Sequence, residues 1–257
     1  MKKIYYILIV CFIASNFGLN DVYASSLNNE NINQAKVQIS SFLEKVAKTF
    51  LENLKKEYLN SDVKLNEKNE SLAGKKILID PGHGGTNPGA VSYGFREVDN
   101  NLAVSLKLKT LLEKQGANVL LTRYEDENIA ERGSSLREEL QARVDISREY
   151  QPDIFVSIHT NSNENPNIQG AMTFYYDEES KKLANSIQTG LINSIKATDK
   201  GIAKENFYVL RNSEIPAVLV EMGFITNKNE AEKLSSDNYR DLIAQGISKG
   251  ISEYFSK

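Results

Sequence analysis

Short apolar runs and helical repeats alternate along most of the chain. From residue 74 onward, brief apolar segments predict buried strands, and the stretches between them carry apolar residues every three or four positions, which predicts helices. This alternation is typical of an α/β fold with a single twisted sheet, mixed but mostly parallel, and helices on both faces. The predicted strands are 76–80, 118–122, 154–158, 170–176, 207–210 and 217–221, and the predicted helices are 96–115, 136–150, 179–195 and 239–255.

A long amphipathic helix is predicted ahead of this fold, over residues 34–59. An apolar helix face of this length has to be buried against its own domain, a partner protein or a membrane surface. Lysines and glutamates are mixed along the segment, which disfavours a membrane, so its own domain and a protein partner stay as equal alternatives. Residues 60–73 predict a polar linker. The apolar positions of the helix are Val37, Phe42, Leu43, Val46, Phe50, Leu51, Leu54 and Tyr58.

The first 24 residues have the plan of a secretory signal peptide. Lys2 and Lys3 precede the apolar run 4–14, and small residues surround a cleavage position after Ala24. An uncleaved membrane anchor is the alternative, but the run of about 11 residues is short of the roughly 20 that span a bilayer. We therefore expect an exported protein with no membrane span after cleavage. The predicted division is 1–24 signal peptide, 25–73 helix and linker, and 74–257 catalytic domain.

Composition removes several classes of function. The 257-residue chain carries a net charge of −3 without a dominant basic block, so nothing indicates a nucleic-acid partner. The only cysteine, Cys11, lies within the predicted signal peptide. The mature protein is therefore expected to lack disulfides, a thiol nucleophile and a thiolate metal site.

The two histidines of the chain occupy equivalent places. His83 follows the strand 76–80 in a glycine-rich turn, and His159 follows the strand 154–158. Ligands of open α/β sheets bind beyond the carboxyl ends of the strands, so both imidazoles are expected at one edge. Imidazole is the commonest metal ligand, and a catalytic zinc takes three protein ligands. The third ligand must then be a carboxylate, and Glu97, at the start of a predicted helix, is the best candidate.

A fourth residue completes this group. Glu221 ends the apolar strand 217–221, where a carboxylate is costly unless it is paired, protonated or beside a cation. Next to a metal ion it would be a general base. Each residue also has an ordinary explanation: a turn or core histidine, a helix-start glutamate favoured by the helix dipole, or a carboxylate facing solvent. Four such coincidences at one edge favour the metal site.

The chain resembles a known family in several segments that come in the family's order. It is similar, over about residues 75 to 256, to the zinc-dependent N-acetylmuramoyl-L-alanine amidases of bacterial cell-wall metabolism. The resemblance implies that His83, Glu97 and His159 hold zinc and that Glu221 is the catalytic acid/base, the same four residues as above. The segments are IDPGHGGTNPGA, REVDNNLAVSLKLKTLLEKQG, LLTR, VSIHTNS, GAMTFYY and NFYVLRNSEIPAVLVEMGFITN.

The implied reaction is hydrolysis of the amide between the lactyl group of N-acetylmuramic acid and L-alanine of the peptidoglycan stem peptide. Asn161 and Arg211 are expected near the strand ends, where they either bind substrate or serve as loop caps and surface contacts. Asn87 departs from the acidic residue that many members carry, which puts the loop contacts there in doubt. The implied location is the cell wall or the spore envelope.

The predicted domains leave open which segment brings the protein to the cell wall. No wall-binding repeat is recognisable, so targeting would fall to the N-terminal helix, to a partner or to the catalytic domain. This minimal layout resembles amidases that act on spore cortex, some of which work with a partner protein.

Two alternatives remain: a wall-binding protein that keeps the fold without activity, and a zinc peptidase that cuts within the stem peptide. A serine hydrolase is disfavoured because no nucleophile elbow appears.

Overall fold

The computed structural model describes residues 71–256. The predicted signal peptide, the predicted helix 34–59 and most of the predicted linker lie outside the described residues, so they stay predictions. Within 71–256, no helix is both long enough and apolar enough to cross a membrane.

Eight strands and six helices make up the described part of the chain. Strands and helices alternate, as the apolar pattern predicts. In chain order they are β1 (Lys76–Pro81), β2 (Val91–Ser92), β3 (Phe95–Arg96), α1 (Glu97–Glu113), β4 (Asn118–Leu121), α2 (Leu136–Tyr150), β5 (Ile154–Asn161), β6 (Ala171–Tyr175), α3 (Glu178–Ile195), β7 (Asp199–Lys204), α4 (Tyr208–Arg211), β8 (Ala217–Phe224), α5 (Lys228–Ser235) and α6 (Asp237–Phe255).

Six of the strands form one mixed sheet in the order β4-β1-β5-β8-β6-β7. All neighbours are parallel except β6 and β8, which are antiparallel. The predicted mixed, mostly parallel sheet is therefore confirmed. Because β1, β5 and β8 are parallel neighbours, their carboxyl ends lie at the same edge, which is where ligands bind in such sheets.

Helices cover both faces of the sheet. Alternate residues of β1 point to opposite sides: Ile77 and Ile79 pack in the larger apolar cluster with α1, α3 and α6, and Leu78 packs in a smaller cluster with α2 and α4. A strand that is buried on both faces needs apolar residues at consecutive positions, and this explains the continuous apolar run in β1. His159 of β5 and Glu221 of β8 project to the same side as Phe155 and Leu219, which is the α2/α4 side of the sheet.

The structure corrects the prediction for residues 207–210. This apolar segment is not a strand, because Tyr208–Arg211 form the one-turn helix α4, with Phe207 in extended conformation as its N-cap. Periodicity cannot separate so short an apolar run from a helical turn. The edge strand beside β6 is β7, which was not predicted because its sequence DKGIAK is too polar to signal a strand. The hairpin β2–β3 and helix α5 were also not predicted.

Candidate metal centre

The turn after β1 brings His83 to the sheet edge. His83 has a φ of +63°, in the left-handed region that few residues with a Cβ adopt, although histidine is enriched there. A Cβ at Gly82 would overlap the ring of His159, so this position requires glycine. The absence of a side chain lets the two imidazoles approach to 5.0 Å between ring centroids, edge to face.

Glu97 is turned into the protein by its local hydrogen bonds. It is the first residue of α1 and is 5% exposed. The backbone N–H of Ala90 donates to Glu97 Oε2 at 3.0 Å, and the N–H of Glu97 donates to the carbonyl of Ala90 at 2.9 Å. A Cβ at Gly89 would lie 2.6 Å from Oε2, so glycine makes room for the carboxylate. The helix-start glutamate therefore points at the histidines and not at solvent.

Three side chains converge on one point. Glu97 Oε1 lies 3.1 Å from His83 Nε2 and 2.9 Å from His159 Nδ1, and one ligand atom from each residue lies within 4.8 Å of the others. Two imidazole nitrogens and one carboxylate oxygen are a donor set of catalytic zinc sites and of some iron(II) sites. The group therefore fits a divalent metal ion.

Electrostatics keep the Glu97 carboxylate ionised. Burial alone would raise its pKa, but the hydrogen bonds with His159 and His83 outweigh burial and hold the pKa of Glu97 far below its usual value. Glu97 Oε1 also accepts hydrogen bonds from the backbone N–H of Thr160 at 3.1 Å and from Asn101 Nδ2 at 3.3 Å. A metal ligand must be deprotonated, so this environment prepares Glu97 for that role.

Glu221 faces the same point from the neighbouring strand. In the register of β5 and β8, Glu221 is the partner of His159, so both side chains project from the same face. Glu221 Oε2 is enclosed and has no hydrogen-bond partner among the described residues. Burial, and secondly the negative charge of Glu97, raise the pKa of Glu221 well above its usual value. An orphaned buried oxygen of this kind suits a proton or a polar ligand at the centre.

An open cavity of about 310 Å³ gives access to the four residues. Its side walls are Leu136 and Leu140 of α2 and Phe207 and Tyr208 at α4. Asn161, at the end of β5, also lines the cavity, and its Oδ1 accepts a hydrogen bond from the N–H of the next residue at 2.8 Å.

Arg211, the other residue for which a substrate contact was predicted, does not line this cavity. Its side chain is exposed at the end of α4, and its guanidinium lies over the ring of Tyr208, 4.9 Å from the ring centroid. The structure thus brings Asn161 to the cavity and leaves Arg211 outside its lining. Both substrate contacts stay predictions.

Sequence reasoning missed a buried ion pair beside the centre. Asp80 and Arg143 line the cavity, are 1% and 5% exposed, and form a salt bridge. Burial would raise the pKa of Asp80, but the charge of Arg143 and the hydrogen bonds from Thr122 and Ser157 lower it below its usual value. One signal was available in the sequence. Arg143 is a charged residue on the helix stripe that also carries Leu140 and Val144, which is the buried side of α2.

The sequence of the chain is similar to a known family of enzymes and to several of its members. Residues 77–253 match the Amidase_3 family, which is described as N-acetylmuramoyl-L-alanine amidase. The germination-specific N-acetylmuramoyl-L-alanine amidase of Bacillus subtilis (strain 168) is 34% identical over 194 residues, which are 72% of this chain and 82% of that protein. The uncharacterized protein YqiI of the same organism is 38% identical over 192 residues, which are 73% of this chain and 88% of YqiI.

The fold is also similar to solved structures. The CwlD amidase of Clostridioides difficile, solved in complex with the GerS lipoprotein, superimposes with a TM-score of 0.68 at 36% identity, covering 71% of this chain and 99% of that one. The matched region contains His83, Glu97, His159 and Glu221. The chain therefore belongs to the N-acetylmuramoyl-L-alanine amidase family, and amidase activity on peptidoglycan is the function that this membership supports.

Proposed function

We propose that the protein is a zinc-dependent N-acetylmuramoyl-L-alanine amidase, which hydrolyses the amide between the lactyl group of N-acetylmuramic acid and L-alanine of the stem peptide. One observation carries the proposal: His83, Glu97 and His159 offer two nitrogens and one oxygen to a single point, and Glu221 faces that point from the next strand. Three protein ligands with a remaining open position are the arrangement of catalytic zinc sites.

The hydrogen bonds around the ligands orient them for this role. Asn87 Oδ1 lies 3.1 Å from His83 Nδ1, so it can accept a hydrogen bond from Nδ1–H and leave Nε2 free as the ligand atom. Partners of this kind fix the tautomer and the ring orientation of a metal-binding histidine. Asn87, where many family members carry an acidic residue, therefore retains the acceptor that His83 needs.

Glu221 is the proposed general base and acid. A zinc ion held by the three ligands would polarise the scissile carbonyl and increase the acidity of the attacking water. Glu221 takes a proton from that water as its oxygen bonds to the carbonyl carbon. It then gives the proton to the nitrogen of L-alanine as the carbon–nitrogen bond breaks. A carboxylate with a raised pKa suits this transfer, because a proton acceptor works best when its pKa lies near the working pH.

The substrate contacts are part of the proposal. We place the stem peptide and the muramic acid in the open cavity, between the α2 and α4 walls. Asn161 lines this cavity and is proposed to bind substrate there. Arg211 is proposed as a contact outside the cavity, on a longer portion of the substrate.

We also propose where the protein acts. Residues 1–24 direct export, and the mature enzyme works outside the membrane, in the cell wall or the spore envelope. Relatives named as cell wall amidases and as a germination-specific amidase support this location. A protein partner is a further part of the proposal, supported by the complex of the C. difficile amidase with a lipoprotein. We propose residues 34–59 as the contact, because their amphipathic pattern leaves an apolar face to be covered.

The test is a digest of purified peptidoglycan with residues 25–257. The protein is stripped of metal with a chelator and assayed with and without added zinc, beside a Glu221→Gln variant. The matched control is Glu139→Gln, because Glu139 lines the same cavity but lies outside the metal group. New amino termini are then identified. We expect free L-alanine amines that require zinc, are lost in Glu221→Gln and persist in Glu139→Gln.

Each other result contradicts a defined part of the proposal. Release of a different amine would indicate a peptidase that cuts within the stem. Full activity of Glu221→Gln would exclude Glu221 as the base. Equal activity without metal would exclude zinc dependence. Bound zinc with no cleavage would contradict the activity of the isolated chain and would direct the search to a partner of residues 34–59.

A further inference from the structure

The backbone of the turn that carries His83 is held by two buried arginines. The carbonyl of Pro81 accepts hydrogen bonds from Arg123 Nε at 2.9 Å and Arg143 Nη1 at 3.1 Å, and that of Gly82 accepts from Arg123 Nη2 at 2.9 Å. The carbonyl of His83 accepts from Arg143 Nη2 at 2.8 Å. Among residues 71–256, Arg143 is the only hydrogen-bond donor to this carbonyl.

The conformation of His83 needs such support. Its φ of +63° is one that a side-chain-bearing residue keeps only where the surroundings impose it. Asn87 contacts the imidazole ring and so acts on its orientation. The bond from Arg143 acts on the backbone instead, and therefore on the direction in which the whole side chain leaves the turn.

Arg143 is itself fixed in place. Its guanidinium forms an ion pair with Asp80, and Asp80 accepts hydrogen bonds from Thr122 Oγ1 at 2.7 Å and from Ser157 Oγ at 2.7 Å. These residues belong to, or directly follow, three neighbouring strands of the sheet. The planar fork of Arg143 thus joins α2 to the strand ends on one side and to the His83 carbonyl on the other. A lysine has a single ammonium group and cannot reproduce this fork.

We propose that Arg143 is a positioning residue, which holds the His83 backbone in its left-handed conformation and thereby sets the affinity of the centre for a divalent metal ion. This inference rests on the proposed metal role of His83. Its guanidinium is bonded to Asp80, Pro81 and His83, so Arg143 reaches the proposed metal centre through His83, although it also lines the cavity. The competing explanation is that the Asp80–Arg143 pair only fastens α2 to the sheet.

The two explanations predict different measurements. If the pair only fastens α2, Arg143→Lys lowers the unfolding temperature of the metal-free protein and leaves the metal affinity of the folded protein unchanged. If Arg143 positions His83, the variant binds metal more weakly at temperatures where it is fully folded. Loss of groups that orient metal ligands typically weakens affinity about 10–100-fold.

The experiment uses the full mature chain in four forms: wild type, Arg143→Lys, Arg148→Lys and His83→Ala. Arg148 is the matched control, because it lies on the same helix but is half-exposed, with partners Asp145 and Glu214 at 3.6 and 3.4 Å. Zinc affinity is measured by competition with a chromophoric chelator, and the ligand geometry by the visible spectrum of the cobalt(II) form. Thermal unfolding of the metal-free proteins confirms that each is folded.

We expect Arg143→Lys to bind zinc about 10–100-fold more weakly with an altered cobalt spectrum, and Arg148→Lys to match wild type. Unchanged affinity and spectrum in Arg143→Lys, together with a loss in His83→Ala, would overturn the inference and leave the proposed function standing. If His83→Ala binds zinc as tightly as wild type, the proposed metal role of His83 itself fails.

A second variant covers the case in which Arg143→Lys does not fold. The double variant Asp80→Asn/Arg143→Gln replaces the ion pair by two neutral amides, so no unpaired charge stays buried. The side chain introduced by Arg143→Gln is shorter than arginine and lacks the guanidinium fork that reaches the His83 carbonyl. The same loss of zinc affinity is expected, and wild-type affinity in this variant would overturn the inference.

Discussion

The two faces of the sheet differ in the side chains and helices that cover them. On one face, α1, α3 and α6 cover the larger apolar cluster, and α3 and α6 touch backbone to backbone at Gly190, Gly246 and Gly250. On the other face, α2 and α4 cover a smaller apolar cluster. That second face shares its space with the open cavity and with the buried charges of Asp80 and Arg143.

This difference shows where stability and chemistry are located. Each large apolar side chain buried in the first face contributes roughly 1.5–3 kcal/mol. On the α2/α4 face, Glu221 Oε2 has no hydrogen-bond partner within residues 71–256, and this costs about 1–3 kcal/mol, the usual penalty of a buried polar group without a hydrogen bond. The well-packed face can therefore offset the cost of keeping a reactive carboxylate buried on the other.

The largest predicted effect is on catalysis and concerns Glu221, on the α2/α4 face of the sheet. Glu221→Gln should lower kcat by about 10²–10⁴, because general acid–base catalysis contributes this much. The same variant should not lower the stability of the metal-free protein, because it removes a carboxyl group that burial already disfavours. Initial rates on peptidoglycan and chemical denaturation check the two parts. A marked loss of stability would show that Glu221 has a structural role and would weaken the comparison between the faces.

The pH dependence of stability gives a sharper form of this test. The folded protein binds the Glu221 proton more tightly than the unfolded chain does, because the pKa of Glu221 is raised in the fold. As pH rises above the ordinary value of 4.5, the unfolded chain loses this proton first, so this group makes the metal-free protein progressively less stable until the raised pKa is passed. Denaturation of metal-free wild type and Glu221→Gln at several pH values should show that the stability advantage of the variant grows as pH rises. A constant difference would contradict the raised pKa.

The next largest effect is on stability and concerns the packing of α3 against α6, on the opposite face of the sheet. A Cβ at Gly250 would lie 2.5 Å from the Cα of Ile187 and from the carbonyl oxygen of Ser186, so α3 and α6 would have to separate. We expect Gly250→Ala to lower the free energy of unfolding by about 1–3 kcal/mol, the usual cost of overpacking. Lys249→Ala, at the exposed neighbouring position, is the control. Both variants should keep the wild-type kcat at a temperature where they are folded. A lower kcat in Gly250→Ala would show that helix packing on one face of the sheet affects catalysis on the other.

The sequence predicted the parts of the molecule that depend on local pattern. Helix α2 has the predicted bounds 136–150, because its apolar stripe is a local pattern. His83, His159 and Glu221 were expected at one edge, because the ends of parallel strands meet there, and the structure brings them together with Glu97. Their roles in binding and catalysis stay predictions.

The parts that could not be predicted depend on tertiary contacts. Arg143 and Asp80 are separated by 63 residues, and no local pattern pairs a helix arginine with one particular strand aspartate. Strand β7 lies at the edge of the sheet and is half-exposed, so it lacks the apolar run that identifies buried strands. The one-turn helix α4 is too short to show any helical period.

The smallest predicted effect concerns the N-terminus of α2. Ser135 Oγ accepts a hydrogen bond from the N–H of Glu138 at 3.3 Å, and Glu138 Oε2 accepts one from the N–H of Ser135 at 2.7 Å. Ser135→Ala should lower the free energy of unfolding by about 1 kcal/mol, the usual effect of removing an N-cap. Ser135→Thr, which keeps the hydroxyl acceptor, should lose less.

This loss should be smaller than that of Gly250→Ala, because Arg143 and Val144 are the only buried residues of α2. Fraying of the first turn would displace Leu136, which lies 64% exposed and lines the cavity, so a rise in KM should accompany the small loss of stability. Thermal unfolding and initial rates of Ser135→Ala, Ser135→Thr and Gly250→Ala, measured together, give the comparison. If Ser135→Ala destabilised the protein more than Gly250→Ala, the stability of the fold would depend on the α2/α4 face, and the division of roles between the two faces would be wrong.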